Sequence, residues 1–390
     1  MSSFVMAREV AVSIYLFTFQ LIFNIFKLFP LKDKTTFVSS FGRNILYTLR
    51  EVEKQTEHRI VILKTYPCNI TFKKLAHRRI INFKFSYILN WIFGIYHLAT
   101  SKKVFVDNYF GFLAVTAFNP DVTCVQLWHA AGAIKQFGLR DLSIENRPKS
   151  AFRRFKAVYQ RFDYIIVGSE KMADIFKEGF GVKNKQILRT GIPRTDFFYD
   201  DEATEKASEA LYAYFPIIKE KKVILYAPTY RDNELNIHDI KLDIDQMYRN
   251  FHNEYVLFLS LHPAIKANIK NKYPDFAFDV SSYNINHMLT IADILITDYS
   301  SIPFEFSLLN KPMIFYAYDI DQYAEERGFW ENYEELVPGP VIETMDELIR
   351  VIHSRDFDLG RIREFSNEWN KYSRGVSSEG LVNAVYHSKE

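Results

Sequence analysis

Histidines, arginines, hydroxyl residues and aspartates recur where short apolar runs of this 390-residue chain end. In chain order they are Asp107, His129, Ser169, Arg194, Thr229 with Arg231, His262, and Asp298 with Ser300 and Ser301. Most of these side chains donate hydrogen bonds, and arginine does so as a planar fork that suits phosphate oxygens. His129 closes the run VTCVQLWH and is followed by Ala130, Ala131, Gly132 and Ala133. Four such small residues let another group approach the backbone closely. A histidine in this place serves as a general base or a phosphate ligand, and it is equally an ordinary packed histidine. Taken singly, each of the other residues also reads as a loop residue satisfied by its neighbours. Their recurrence in both halves of the chain points to a phosphate site.

The runs themselves supply the scaffold. TTFVSSFG, RIVILKTY, KKVFVDNY, VTCVQLWH, YIIVGSE and QILRTGIPR occupy the first half, and KVILYAPTYR, YVLFLSLHP, FAFDVS, ADILITDYSS and PMIFYAYD the second. Helical stretches separate them, which predicts parallel sheets with helices on both faces. Two successive sets predict two doubly wound, Rossmann-like α/β domains, divided after TGIPRTD where the acidic stretch DDEATEKASEALYAYF begins. The expected organisation is a segment 1–31, an N-terminal domain 32–196 and a C-terminal domain 197–390, with the last helix packing back on the N-terminal domain. Open parallel sheets bind ligands at the carboxyl ends of their strands, so a cleft between two such domains would collect the polar residues named above.

Bulk composition narrows the class. Hydrophobic residues make up 48% and charged residues 25% of the chain, a globular balance. A net charge of +2 gives no general reason to expect a nucleic-acid partner. Cys68 and Cys124 lie far apart and form neither a disulfide framework nor a metal-ligand spacing, which fits a reducing, cytoplasmic setting. Aromatic residues reach 16%, with 35 Phe and 24 Tyr, which points to a surface that meets something apolar.

The N-terminus sharpens that expectation. VAVSIYLFTFQLIFNIF, Val10 to Phe26, carries no charge but is short for a spanning helix, and no small-residue cleavage site follows it. Glu9, Ser13, Gln20, Asn24 and Lys27 fall on one stripe of a helical wheel, as in an amphipathic helix lying in an interface or docked on the protein; a buried core helix is the alternative. Two basic segments accompany it. FKKLAHRRIINFK holds Lys73, Lys74, Arg78, Arg79 and Lys84, and PKSAFRRFKAVYQRF holds Lys149, Arg153, Arg154, Lys156 and Arg161. Basic residues beside an anionic membrane gain about 1 kcal/mol each. Peripheral attachment to the cytoplasmic face of a membrane is therefore expected, with Lys73, Lys74, Arg78, Arg79, Arg153, Arg154 and Lys156 facing lipid or acceptor.

Common nucleotide signatures are missing. There is no G-x-x-x-x-G-K-[ST], and the Gly179–Gly181 pair lacks the third glycine of a dinucleotide fingerprint. No G-x-S-x-G elbow is present. Two D-x-D triplets, Asp243 with Asp245 and Asp319 with Asp321, are the only candidates for a divalent cation, and such short triplets are common by chance.

LWHAAGAIKQFG, TGIPRTD, YAPTYR, SLHP and LITDYSSIPFEF, in this order, resemble the CDP-glycerol glycerophosphotransferase family of wall teichoic acid synthesis. The resemblance implies a GT-B fold and transfer of glycerol phosphate from CDP-glycerol with release of CMP. It implies no cofactor and no catalytic metal. The chain is most similar to the family's short primases, which add the first unit to a disaccharide, N-acetylmannosaminyl-N-acetylglucosamine, on undecaprenyl pyrophosphate. Ribitol phosphate transfer, chain extension, and a GT-B sugar transferase remain alternatives. His129 precedes alanine here where the polymerases commonly show glycine, a departure that bears on the acceptor. A sugar hydroxyl must attack the phosphorus next to glycerol while a base takes its proton, a task for His129 or His262. Fixed donors must meet the charge on phosphoryl group and leaving CMP. The residues expected to bind CDP-glycerol are Trp128, Gly132, Arg194, Pro228, Thr229, Arg231, His262, Ser300, Ser301 and Glu305, with the helix after the serine pair turning its N-terminus to the anion.

Overall fold

The computed structural model describes residues 3–229, 231, 240–261 and 272–387. They form two compact units. The first comprises Met1–His129, Phe137–Asp196 and Tyr372–Glu390, and the second Ala130–Gln136 and Phe197–Lys371. The chain thus leaves the first unit between His129 and Ala130, inside the motif that carries the candidate base.

The first unit is built on a seven-stranded sheet in the order β3-β2-β1-β4-β5-β6-β7. Its strands are β1 (Lys32–Ser39), β2 (Arg59–Lys64), β3 (Arg78–Asn82), β4 (Ser101–Val106), β5 (Thr123–Gln126), β6 (Tyr164–Ile166) and β7 (Ile187–Leu188). The second unit holds a six-stranded sheet in the order β10-β9-β8-β11-β12-β13. These are β8 (Lys222–Tyr226), β9 (Tyr255–Leu259), β10 (Ala277–Asp279), β11 (Ile294–Thr297), β12 (Met313–Tyr316) and β13 (Val341–Ile342). Every pairing is parallel. Both sheets run outward in two directions from their first strand, so each has a switch point, between β1 and β4 and between β8 and β11.

Central strands are buried nearly end to end, as β9 and β11 are throughout, because parallel strands covered by helices on both faces offer no solvent side. Such runs are visible in sequence. β3 and β13 are not among the predicted runs. The first is an arginine-bearing edge strand with a single buried residue, and the second is two residues long.

The N-terminal helix α1 spans Ser3–Phe26, longer than the uncharged run that marks it, and its Met6–Phe26 stretch is long and apolar enough to cross a membrane by length and composition. Helices α2 (Arg43–Gln55), α3 (Ile88–Ala99) and α4 (Lys149–Tyr159) follow in the same unit. One face of α1 is buried: Phe19 contacts the rings of Trp91 on α3 and of Phe112, and Phe23 that of Phe118. The opposite face is apolar as well and exposed, through Val10, Ile14, Phe17, Leu21 and Ile25. Phe17 keeps 68% of its surface in solvent, so core packing does not account for this face.

Candidate active site

In the first unit the site is organised by Asp107, which follows β4. Its carboxylate accepts the backbone N–H groups of Ser40 (2.8 Å), Phe41 (3.0 Å) and Gly42 (2.7 Å) and the Ser40 hydroxyl (3.3 Å). Burial lifts its pKa above the ordinary carboxylate value, against the pull of these hydrogen bonds. The loop so held needs glycine at position 42, where φ is +85° and a Cβ would sit 2.7 Å from Ile70 Cγ1. It carries Phe41, whose ring stacks on His129 at 4.1 Å between centroids. Trp128 covers the imidazole too, at 4.2 Å. The half-buried His129 places Nδ1 3.4 Å from the carbonyl oxygen of Asp107. A neutral imidazole that donates from Nδ1 carries its lone pair on Nε2, the state a general base requires.

The backbone that presents His129 is fixed from both sides. Trp128 adopts φ 53°, an uncommon conformation for a bulky residue. Its N–H donates to Gln126 Oε1 (2.8 Å), and the Asn44 amide donates to the carbonyls of Leu127 (3.1 Å) and Trp128 (3.0 Å). The Asn44 side-chain oxygen accepts the backbone N–H of Arg194 (3.1 Å), and Arg194 Nη1 donates to the His129 carbonyl (2.6 Å). Arg194, expected to meet phosphate, is here a buried tie that holds His129. Trp128, expected at the nucleotide, packs on Phe137, Phe176 and Phe180 at 5.0–5.9 Å between ring centroids. Ser169 caps the helix Glu170–Phe180 by accepting Met172 N–H (3.0 Å) and does not join the site.

In the second unit Arg231 is the hub. Nε and Nη2 form a fork on Asp319 (2.8 and 2.9 Å), and Nη1 donates to Asp298 (2.7 Å) and to the Thr229 carbonyl (2.6 Å). The guanidinium lies over the rings of Tyr299, Tyr318 and Tyr323 at 4.9–5.5 Å. Burial alone would lower its pKa, but the bonds to Asp319 and the charge of Asp298 outweigh that and hold it above its ordinary value. Asp298 also accepts Thr229 N–H (2.7 Å), and Tyr299 donates to Asp319 (3.0 Å). One cation between two carboxylates has no surplus positive charge, so Arg231 does not present the open fork expected of a pyrophosphate clamp. It ties the loop after β8 to the loop after β11. The same bonds engage Asp319 of the candidate metal triplet Asp319 and Asp321.

Thr229 and Pro228 stand at the end of β8, half-buried, and the Thr229 hydroxyl has no partner among the described residues. Ser300 and Ser301 are half-buried after β11, where Ser300 Oγ accepts Ile302 N–H (3.3 Å). The helix they open, Ile302–Phe306, is a little over one turn, so its macrodipole is much smaller than expected. Glu305 is buried within it. Gly132 has a packing reason: a Cβ there would meet Phe304 Cδ1 at 2.4 Å, so the group that approaches this backbone is the phenylalanine ring. His262 lies outside the described residues.

The basic residues divide. Lys73, Lys74, Arg79, Arg153 and Lys156 are exposed. Arg78 is not available to a membrane, because it forks onto Glu53 of α2, which His77 also contacts at 2.8 Å. Arg154 pairs with Glu9. The sequence does not mark Ser40, Phe41, Gly42, Asn44 and Gln126, since none ends a run in a residue type with evident chemistry; only the SSFG turn after β1 hints at them.

Residues 22–387 match the family described as CDP-Glycerol:Poly(glycerophosphate) glycerophosphotransferase. The chain belongs to this family. It is a CDP-glycerol-type phosphotransferase, as its sequence motifs imply. It is 40% identical over 356 residues to the teichoic acid glycerol-phosphate primase of Bacillus subtilis (strain 168), covering 91% of this chain and 92% of that one. It is 36% identical over 305 residues to the teichoic acid ribitol-phosphate primase of Bacillus spizizenii (strain ATCC 23059 / NRRL B-14472 / W23), covering 77% and 78%. The structure of the wall teichoic acid polymerase TagF superposes with a TM-score of 0.80 at 23% identity, over 99% of this chain and 98% of that one. The fold class is therefore the expected GT-B, two Rossmann-like domains.

Proposed function

We propose that this phosphotransferase acts as a linkage-unit primase of teichoic acid synthesis. It moves glycerol phosphate from CDP-glycerol to an undecaprenyl-pyrophosphate-linked N-acetylmannosaminyl-N-acetylglucosamine and releases CMP. The observation that carries this reading is the 40% identity to a glycerol-phosphate primase along nine-tenths of both chains. In the proposed mechanism His129 Nε2 takes the proton of the acceptor hydroxyl. That oxygen forms a bond to the phosphorus next to glycerol, and the bond to CMP breaks, its electron pair leaving with CMP. Phe41 and Trp128 keep the imidazole in plane while Asp107 accepts from Nδ1. Thr229, Ser300 and Ser301 supply hydrogen bonds to the donor phosphates, and Arg231 keeps their two loops in register through Asp298 and Asp319.

The chemistry in this proposal needs no metal, and the enzyme sits peripherally on the cytoplasmic face of the membrane. The apolar outer face of α1 supports that location, as do exposed Lys73, Lys74, Arg79, Arg153 and Lys156. A ribitol phosphate donor is the second reading, favoured by the 36% identity to a ribitol-phosphate primase. Incubation with CDP-glycerol, CDP-ribitol or a UDP-sugar, each with the lipid-linked disaccharide, separates these. CMP release with CDP-glycerol alone, undiminished in excess EDTA, is expected. Turnover only with CDP-ribitol or the UDP-sugar overturns the donor assignment, and loss in EDTA restored by Mg²⁺ overturns metal independence.

A further inference from the structure

A cavity of about 470 Å³ opens in the first unit between α1, α4 and the loop after β4. Arg8 and Glu9 of α1, Arg147 and Arg154 at α4, and Tyr109 line it. Three arginines stand against one carboxylate. Glu9 is wholly engaged, since Arg154 forks onto it (2.9 and 3.0 Å) and Ser150 donates to it (2.7 Å). The hydrogen bond from Arg154 draws the Glu9 pKa down to about 2, so the carboxylate stays ionised and the pair is fixed. Arg147 donates to the Ser143 hydroxyl (3.1 Å) and lies over Phe155 at 5.2 Å, while Arg8 is exposed. Neither forms an ion pair with a carboxylate among the described residues, Arg8 acting on Glu9 only through its charge. The cavity therefore keeps the positive charge of two guanidinium groups.

Its position links it to both ends of a lipid-borne substrate. Tyr109 in its wall is two residues from Asp107, whose carbonyl faces His129 Nδ1, a reach of about 7 Å along an extended chain. Val12 and Leu16 of α1 line it from the other side, and the same helix carries the exposed Val10, Ile14 and Phe17 outward. We propose that this cavity binds the diphosphate joining the acceptor's glycan to its polyprenyl chain, with the chain on the apolar face of α1 and the glycan extending toward His129. The proposal rests on the function proposed above. Two unbalanced arginines match a diphosphate diester, with one charge on each phosphorus, better than the single charge of a phospholipid phosphodiester.

The test compares two acceptors, the disaccharide on a polyprenyl diphosphate and the same disaccharide on a neutral alkyl group. Arg147→Gln and Arg8→Gln should each raise KM for the diphosphate acceptor about 10- to 100-fold, the loss of one charge-assisted hydrogen bond, with kcat held. KM for the neutral acceptor should match that of the unmodified enzyme, and Arg147→Lys should restore part of the loss. Equal changes on both acceptors would overturn the proposal. So would a KM effect that vanishes in detergent and follows loss of binding to phosphatidylglycerol vesicles, which marks a headgroup contact. Calorimetry of the full chain with farnesyl diphosphate gives a reading independent of turnover: binding weakened by Arg147→Gln supports the site, and no binding overturns it. Farnesyl diphosphate binding without transfer to either acceptor would uphold the cavity and refute the function.

Discussion

Asp107 and Asp298 occupy the same place in two different sheets. Each directly follows the strand across the switch point, β4 in one unit and β11 in the other, and each accepts from the backbone of the loop that ends the first strand, Asp107 three N–H groups and Asp298 that of Thr229. A buried carboxylate facing several N–H groups fixes such a loop more firmly than water would. The two differ in partners: Asp298 bonds a guanidinium, whereas among the described residues Asp107 accepts from Ser40, Phe41 and Gly42 alone.

That difference predicts unequal costs of substitution. Arg231→Met leaves Asp298 and Asp319 as uncompensated carboxylates and should destabilise the second unit by about 3–5 kcal/mol. Asp107→Asn removes a charge but keeps an acceptor, and should cost about 1–3 kcal/mol. Urea unfolding followed by tryptophan fluorescence and circular dichroism reads both. A smaller loss for Arg231→Met than for Asp107→Asn would contradict this ordering.

His129→Ala should lower turnover by about 10²–10⁴-fold, the range for one acid–base group, with the calorimetric affinity for CDP-glycerol unchanged. Phe41→Leu keeps the base but loosens its stacking, so a smaller fall in kcat is expected. Near-normal turnover in His129→Ala would exclude it as the base.

Gly132→Ala places a methyl group 2.4 Å from Phe304 Cδ1. Overpacking of this kind costs about 1–3 kcal/mol, visible as a lower urea midpoint. Phe304→Leu in the same chain makes room and should recover part of the loss. If the double variant is no more stable than Gly132→Ala alone, the ring is not the obstacle.

Lys34 is buried with its ammonium on Thr100 Oγ1 (2.6 Å) and 3.2 Å from His97 Nδ1. Burial, with Lys32 adding to it, draws its pKa down to about 7. Burial likewise takes His97 to about 3, with the charge of Lys34 contributing. In each case the unfolded chain binds the proton more tightly, so stability rises with pH between the folded and unfolded values. For Lys34 that window runs from about 7 to about 10.4, and for His97 from about 3 to about 6.5. Lys103 and Lys311 are shifted down by burial too, so melting curves of Lys34→Met should show a smaller rise in stability above pH 7 than those of the unmodified protein. An unchanged alkaline slope would show that Lys34 is not its source.

Phe17→Asp and Leu21→Asp lie on the exposed face of α1 and should each weaken binding to anionic vesicles about tenfold or more, from the apolar area lost. Phe19→Asp, on the buried face, should instead destabilise the fold. Sedimentation with vesicles and thermal melting distinguish the two. Unchanged vesicle binding in the double variant Phe17→Asp/Leu21→Asp would show that this face does not meet the membrane.

Sequence by itself determined the central strands of the second sheet, because a parallel strand covered on both sides is apolar along its length, and β8, β9 and β11 appear as such runs, whereas β1 and β4 open on polar and charged residues and are apolar only toward their carboxyl ends. It also determined the family, through five short motifs in a fixed order, and offered His129 and His262 as candidate bases. It did not determine what the polar residues at strand ends hold. Arg231 and Arg194 were both expected on phosphate, yet Arg231 bonds Asp319, 88 positions away, and Arg194 meets Asn44 across 150 positions. Arg154 likewise pairs with Glu9 across 145 positions. A residue's type states which bonds a side chain is able to make. Which partner lies within 3 Å depends on strand order, and only the folded chain, bringing the ends of β1 and β4 or of β8 and β11 side by side, decides it.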